Sequence, residues 1–588
     1  MKFTKVAATA LASFLAVGAL ASCSPGEEEP GGSNSQAGAT SSAFPTEWSE
    51  EITIDVFDGL ANAMGEQPGW FAKIVKDKFN MKLNIIAPNV AGGGDTLYNT
   101  RVAAGDLGDL IVTDKGQKLD ELVDGGLVMD VADYYPNMAN AKNFDAAVQK
   151  LNSDFAGTYA FPTSVSSLAP TDPSEGIDPT FGPFVRWDLY KQIGYPEINT
   201  LEDLLPVLKQ MQDAQPTAEN GSKVYGMSLF KDWDGNMMNN AKQPVTFYGY
   251  DEMGFVIAKA DGSDYQSIID SDSEYVRTLK FFFEANQLGI MDPESTTQNY
   301  DTLFSKMQNG QVLFSFWPWQ GQSAYNTIDN MEAGKGFMIA PMKDQKIFSY
   351  GAEPAGGKQV LAVGSKAEDP ERIAAFIDWL YSPEGTYANN SQTMGAAGPQ
   401  GLTWELNSEG KPELTEFGMK ALVGGGADVP AEYGTGTYKD GASWLNVTLV
   451  LPIDTDPNTG EAFSYKTWET FQEATSNPLY EDWSAKMGGE ATTMDYLKAN
   501  DMLMVAPGAS YTAPTDSSEI ETLRNQVKAV IVSESWKMAF AANEGEFNAL
   551  LAGLQETAKG LGYDKVLEVD MANAKEQNDL RVASAAGE

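Results

Sequence analysis

Histidine is absent from the 588 residues, and cysteine occurs once, as Cys23. Without histidine, the Ser-His-Asp and Cys-His nucleophiles and every His-ligated zinc or iron centre are excluded. With a single cysteine no disulfide closes within the chain, so stability has to come from core size, which a chain this long supplies. Basic residues are scarce: 40 Lys and Arg stand against 82 Asp and Glu, a net charge of −42. A surface of that sign repels phosphate backbones and anionic headgroups, which argues against nucleic acid and against a strongly anionic ligand. The hydrolase signature Gly-x-Ser-x-Gly is missing, and no internal repeat is present. Paired carboxylates need neither histidine nor cysteine, so a glycoside hydrolase remains an alternative from another class.

Long apolar runs are missing too, except one. Val6 to Leu20 is rich in Ala and Leu, follows Lys2 and Lys5, and ends in the small residues Ala21 and Ser22 before Cys23. A basic start, an apolar stretch too short for a comfortable membrane span and a small-residue cut site make residues 1–22 a secretory signal peptide. Leu20-Ala21-Ser22-Cys23 resembles the bacterial lipoprotein box, which implies a diacylglyceryl group on the Cys23 sulfur and attachment to the outer face of a cell membrane. Residues 24–43 (SPGEEEPGGSNSQAGATSSA) hold no large apolar side chain and read as a flexible tether reaching roughly 25 Å. The lipidated cysteine and tether together cover 23–47, and folding is expected to begin near Trp48.

The 12 Trp, 23 Tyr and 28 Phe are ample for packing, and the length calls for more than one core. Ile52, Ile54 and Val56 alternate as in a half-buried strand, and so do Met81, Leu83 and Ile85; a helix over 68–79 lies between them. With the strand Leu110 to Val112, this is the pattern of an α/β domain with a mainly parallel sheet. Thr200 and Asp203 spell a capping box before Leu204, Leu205 and Leu208, with Pro206 expected to kink the helix. Asp369-Pro370-Glu371 opens a helix with the stripe Ile373, Phe376, Ile377 and Leu380. Ser518 and Glu521 read as a second capping box, and Phe547 to Leu554 as a last helix ended by Gly560.

Several of these stretches resemble the extracellular solute-binding proteins of ABC importers, in the large lipoprotein branch that serves carbohydrate uptake. Val102 to Ile111 (VAAGDLGDLI), Gly157 to Pro162 (GTYAFP), Phe184 to Tyr190 (FVRWDLY) with Pro196 and Thr200 to Asp203, and Gln359 to Gly385 carry the resemblance in order. It implies a two-lobed, type II periplasmic-binding-protein-like α/β fold whose lobes are joined by a multi-strand hinge and close on a ligand. The implied division is 48–165 and 346–390 in lobe 1, 166–345 and most of 391–510 in lobe 2, and 511–588 as C-terminal helices on the lobes. An oligosaccharide ligand and the transmembrane subunits of an ABC permease are the implied partners, with no catalytic residue and no cofactor. The other alternative is a glycan adhesin without transport.

In such a cleft, aromatic faces stack on sugar rings. Trp317, Trp319 and Gln320, at the end of the run QVLFSFWPWQ, are the first candidates, because α/β clefts lie at strand ends. Tyr350, on the stretch expected to recross the hinge, and the loop aromatics Trp404 and Trp233 are further candidates, with Trp444 beside them. Trp187, Trp379 and Trp536 fall within apolar patterns and are assigned to packing, with Arg186 and Asp188 as a structural pair. Pro216 to Val224 holds one carboxylate, Glu219, too few for calcium. Asp454 to Gly460 has its glycine one place late and Tyr465 where a bidentate Glu belongs, so it reads as a polar turn and no metal site is expected.

Overall fold

The computed structural model describes residues 44–88, 90, 94–390, 395–423 and 426–587; Cys23, the signal peptide and the tether expected at 24–43 lie outside them. Five strands come first: β1 (Ile52–Asp58), β2 (Gly65–Glu66), β3 (Met81–Ile86), β4 (Leu110–Asp114) and β5 (Ala160–Pro162). Further on are β6 (Phe184–Arg186), β7 (Tyr250–Met253), β8 (Val256–Lys259), β9 (Tyr265–Ser267), β10 (Phe314–Ser315), β11 (Phe337–Ile339) and β12 (Ile347–Tyr350). The remainder are β13 (Gln359–Val363), β14 (Trp404–Leu406), β15 (Pro412–Leu414) and β16 (Leu503–Ala506).

The larger sheet has the order β2-β3-β1-β4-β13-β5. β1 pairs in parallel with β3 and β4, while β13 runs antiparallel between β4 and β5. Strand alternation sends Ile54, Val56, Leu83, Leu110 and Leu361 to one face, and Phe57, Ile111, Ala160 and Val360 to the other. Against the first face pack the helices Gly69–Phe79 and Pro370–Tyr381, where Phe79 meets Phe376 edge-on at 5.5 Å. The Asp369 carboxylate caps the second of these helices, accepting from the Arg372 backbone N–H, and Pro370 sits at its first position as the sequence predicts.

A second core gathers around β6, which lies antiparallel between β10 and β11, and draws in the helices Leu204–Ala214 and Glu274–Gln287. The Thr200–Asp203 capping box is present, yet Pro206 does not sit mid-helix: a 3-10 turn takes 201–203, which leaves the proline in the first turn of Leu204–Ala214. The C-terminal helices belong to this core through Val527, Ile531, Phe547, Leu554 and Val566. Ser517, not Ser518, caps Ser518–Ala539. Glu544–Gly560 is followed by a further helix, Tyr563–Ala586.

The stretch expected mostly in lobe 2, 391–510, divides differently. Trp404, Leu414, Tyr438, Phe463 and Trp468 pack in the first core, and the second receives Leu479, Trp483, Met494 and Leu497. The reason lies at Trp70, whose ring stacks on Tyr438 at 5.1 Å and whose indole N–H donates to the Tyr438 carbonyl. Beside it Gly69 and Gly441 touch backbone to backbone: a Cβ on Gly69 would fall 2.1 Å from the Gly441 Cα.

Crossing segments join the two cores. Gly351 donates to the Ala506 carbonyl, Ala352 to Asp172 and Gly508 to Pro170, each at 2.8 Å, and β12 pairs in parallel with β16. Glu175 ties two of the segments, accepting from Ser349 Oγ at 2.6 Å and Thr180 Oγ1 at 3.0 Å. Segment 351–359 is therefore a turn into β13 within the hinge. Among the described residues no helix is long and apolar enough to cross a membrane.

Candidate functional site

Each sheet presents one edge to the crossing segments. β1, β3 and β4 are parallel and end together, and β5 ends beside them at Pro162, where the chain leaves for the second core. In the smaller sheet Phe184 pairs with Ser315 and Ile339, so the end of β10 lies where the chain enters β6 and leaves β11. Carboxyl ends of parallel strands beside a change of chain direction are where α/β folds take ligands.

Trp317 and Trp319 follow directly on β10. Pro318 fixes the first turn of the helix Pro318–Tyr325, and Trp319 is left 41% exposed, stacked at 4.8 Å on Trp317. Trp233, 44% exposed, stacks on Tyr300 at 4.7 Å and lies 5.8 Å from Trp319. These rings form one aromatic platform. Trp317 was expected to face ligand, but it is buried as the support behind Trp319, because Phe230 and Phe316 close round it. Gln320 is also turned inward: its Oε1 accepts from Ser315 Oγ at 3.1 Å, and its buried Nε2 has no hydrogen-bond partner. The residue on the same helix face as Trp319 is Gln322, three positions on, beside the Asp178 carboxyl. Burial holds Asp178 above the usual carboxylate range against the hydrogen bond from Thr493 and the charge of Lys466, which comes from the first core's side of the hinge.

Trp404 is a correction. It opens the hairpin β14–β15, packs at 4.7 Å on Tyr387 and 5.7 Å on Trp468, donates its N–H to the Gly398 carbonyl, and is buried. The glycines before it form a turn over the first core, and the ring closes that core.

Trp444 is partly buried at the edge of the larger sheet, on a loop fixed by two buried side chains. Its backbone N–H donates to Gln67 Oε1 at 2.7 Å, and Gln67 Nε2 donates to the Ala442 carbonyl at 2.9 Å. Asp58, the last residue of β1, accepts at Oδ1 from Leu60 and Ala61 N–H (2.8 and 3.1 Å) and at Oδ2 from Asn446 N–H (3.3 Å). Burial pushes Asp58 up to about 6 against those donors. Sequence reasoning missed Gln67, Asp58 and Asn446; an aspartate ending the most regular strand was the available signal.

Tyr350 stands on the hinge strand β12, edge-on to Phe348 at 4.9 Å, and the residue as a whole is partly exposed. Burial, then the charges of Asp251 and Glu175, hold its phenol well above the ordinary range. Nearby Glu353 is pushed up to about 7 by burial against the attraction of Lys115 and Arg581.

Trp187, Trp379 and Trp536 are packing residues, as the sequence predicts, and Arg186 pairs with Asp188 at 2.8 Å. Asp454 and Asp456 are buried with their oxygens occupied by Ser167, Tyr387 and Asn458, which makes 454–460 a hydrogen-bonded turn. A groove of about 770 Å³ over Trp536 and Phe540 lies among the C-terminal helices and not between the two sheet edges.

The structure thus has two α/β lobes joined by a hinge of crossing segments, with an aromatic platform at the strand ends of one sheet and a braced loop at the strand ends of the other. The chain belongs to the bacterial extracellular solute-binding proteins, whose family model matches residues 64–387. Its fold is that of a human-milk-oligosaccharide-binding solute-binding protein of Bifidobacterium longum infantis (15% identity, 89% of this chain and 98% of that one, TM-score 0.55). It is shared with the Streptococcus pneumoniae binding protein FusA in complex with kestose (14% identity, 89% and 99%, 0.56) and the alginate-binding protein AlgQ2 without calcium ion (15%, 90% and 98%, 0.55). No curated protein matches the chain in sequence.

Proposed function

We propose that this protein captures an oligosaccharide between its lobes and delivers it to the transmembrane subunits of an ABC importer, held at the outer face of the cell membrane by a lipid on Cys23. The exposed pair Trp319 and Trp233 carries the reading. Two large rings left in water at a sheet edge, backed by a buried third, match the apolar C–H faces of sugar rings. The fold neighbours named above bind milk oligosaccharides, kestose and alginate, which supports a carbohydrate ligand. Capture requires no covalent step, only lobe closure. Titration against a glycan panel should change tryptophan fluorescence and, by small-angle scattering, compact the protein. A flat response to every sugar and peptide would remove the reading.

The anchor makes a separate prediction. Two acyl chains hold a protein at a membrane where one holds it weakly. Cys23→Ser is expected to move the protein into the medium with its glycan affinity unchanged, as read by fractionation and calorimetry. Retention at the membrane would show that something other than this cysteine holds it.

A further inference from the structure

Behind each exposed ring of the platform stands another. Trp319 lies over Trp317 at 4.8 Å with 26° between planes, and Trp233 over Tyr300 at 4.7 Å and 25°. Both backing rings meet the fully buried Phe230, at 6.3 and 5.4 Å, while Trp233 touches it only edge-on. Phe230 therefore marks the protein side of both stacks, and the outer faces of Trp319 and Trp233 open the same way. The two rings also lie side by side. Their centroids are 5.8 Å apart, and Trp233 is almost as far from Trp317, at 6.1 Å, which puts it beside that stack and not on top of it.

We propose that Trp319 and Trp233 hold two consecutive units of one glycan chain, and that the chain they hold is uncharged. One sugar ring covers one indole face, so two faces set side by side and open in one direction take neighbouring units of the same chain. The 41° between the indole planes matches a chain that turns from one unit to the next, not a flat ribbon. This deepens the reading of the cleft given above and rests on it.

The charges round the platform decide the second half. Asp232 precedes Trp233 and accepts the Tyr300 N–H at 2.9 Å, and Asp301 follows Tyr300; both aspartates are exposed. The cations nearest in sequence are spent elsewhere. Lys231 turns away, its Nζ 5.1 Å over the Trp536 ring, and Lys306 is bound by Asp292 and Glu294 at 2.6 and 2.7 Å. A uronate unit would thus meet two carboxylates and no free cation, in a chain already of net charge −42. A neutral unit meets no such field. Gln322, on the helix face that carries Trp319, and the Asp178 carboxyl beside it supply a donor and an acceptor for its hydroxyls.

The experiment is calorimetric titration of the whole mature protein with malto-, cello-, chito-, manno- and fructo-oligosaccharides graded by length from a single sugar upward, beside oligogalacturonates of the same lengths. In the neutral series that binds, affinity is expected to rise at least about tenfold from one unit to two, and Trp233→Ala or Trp319→Ala to abolish that step. The single sugar should lose affinity in only one of the two variants, and the disaccharide in both. A single sugar that binds as tightly as its chain, or that is weakened equally by both variants, means that the two rings grip one unit and overturns the proposal. So does an oligogalacturonate that binds more tightly than every neutral series. A wild type that binds none of these probes removes the reading of the cleft, and this proposal with it. Trp233 is 44% exposed, and should Trp233→Ala still fail to fold, Trp233→Leu replaces it, keeping an apolar side chain over Tyr300 without a flat face.

Discussion

Trp319→Ala is expected to weaken glycan binding by about 30-fold, or about 2 kcal/mol, while thermal stability stays near that of the wild type. The two effects separate because Trp319 is 41% exposed, so truncation removes a ring from the ligand's side and little from the core. Trp317 should behave otherwise. It is 4% exposed, and Trp317→Ala opens a cavity beneath the platform that costs about 3–5 kcal/mol of stability, with affinity lost as a consequence of a displaced Trp319. Calorimetric titration of both variants with a glycan the wild type binds, beside urea unfolding, checks the pair. Wild-type affinity in Trp319→Ala would move the ligand off this platform.

Arg524→Ala is expected to cost about 3–5 kcal/mol in urea unfolding, because it strands buried charge. Arg524 forks to the two oxygens of Asp570 at 2.7 and 2.8 Å and to Asp516 at 2.6 and 3.1 Å, and it stands over the Phe255 ring. Asp570 is 2% exposed and also accepts the Phe255 N–H at 2.7 Å, so the guanidinium ties two of the C-terminal helices together at the carboxylate that joins them to Phe255 of the second core. Arg524→Lys should recover only part of the loss, since a point charge cannot make both forks. A cost under about 1 kcal/mol for Arg524→Ala would mean that apolar contacts alone hold these helices.

What was legible in the sequence was whatever local chemistry decides. Ile52, Ile54 and Val56, and Met81, Leu83 and Ile85, announce their strands because each buries one face of the sheet. Asp369-Pro370 and Thr200-Asp203 announce their helices because caps satisfy backbone groups within a few residues. The helix Tyr563–Ala586 escaped notice because the face it buries includes Asp570, Asn573, Ala574 and Arg581, polar or small residues that leave no apolar stripe. Trp404 was misread because a glycine-rich loop suggests exposure, while its burial depends on Tyr387 and Trp468, neither of them adjacent. At the candidate site the platform tryptophans could be read from a strand ending in proline. The braces of Trp444 could not, because Gln67 and Asp58 meet their loop only once the first core has closed.

The place of β13 has a consequence for how this protein is made. β13 sits between β4 and β5, yet it pairs with β4 across about 250 positions of chain. Until that strand arrives, β4 keeps an open edge and β5 has no partner in the sheet, so the N-terminal region cannot finish folding by itself. For a chain expected to be threaded through a membrane from its N-terminus, that delay is useful. On the proposal that the chain is exported and anchored at Cys23, the leading part would stay slack enough to pass, and the structure would lock only after most of the polypeptide is across. The same delay leaves an unpaired strand edge in the half-made molecule, and that edge is where premature association with a second chain would begin.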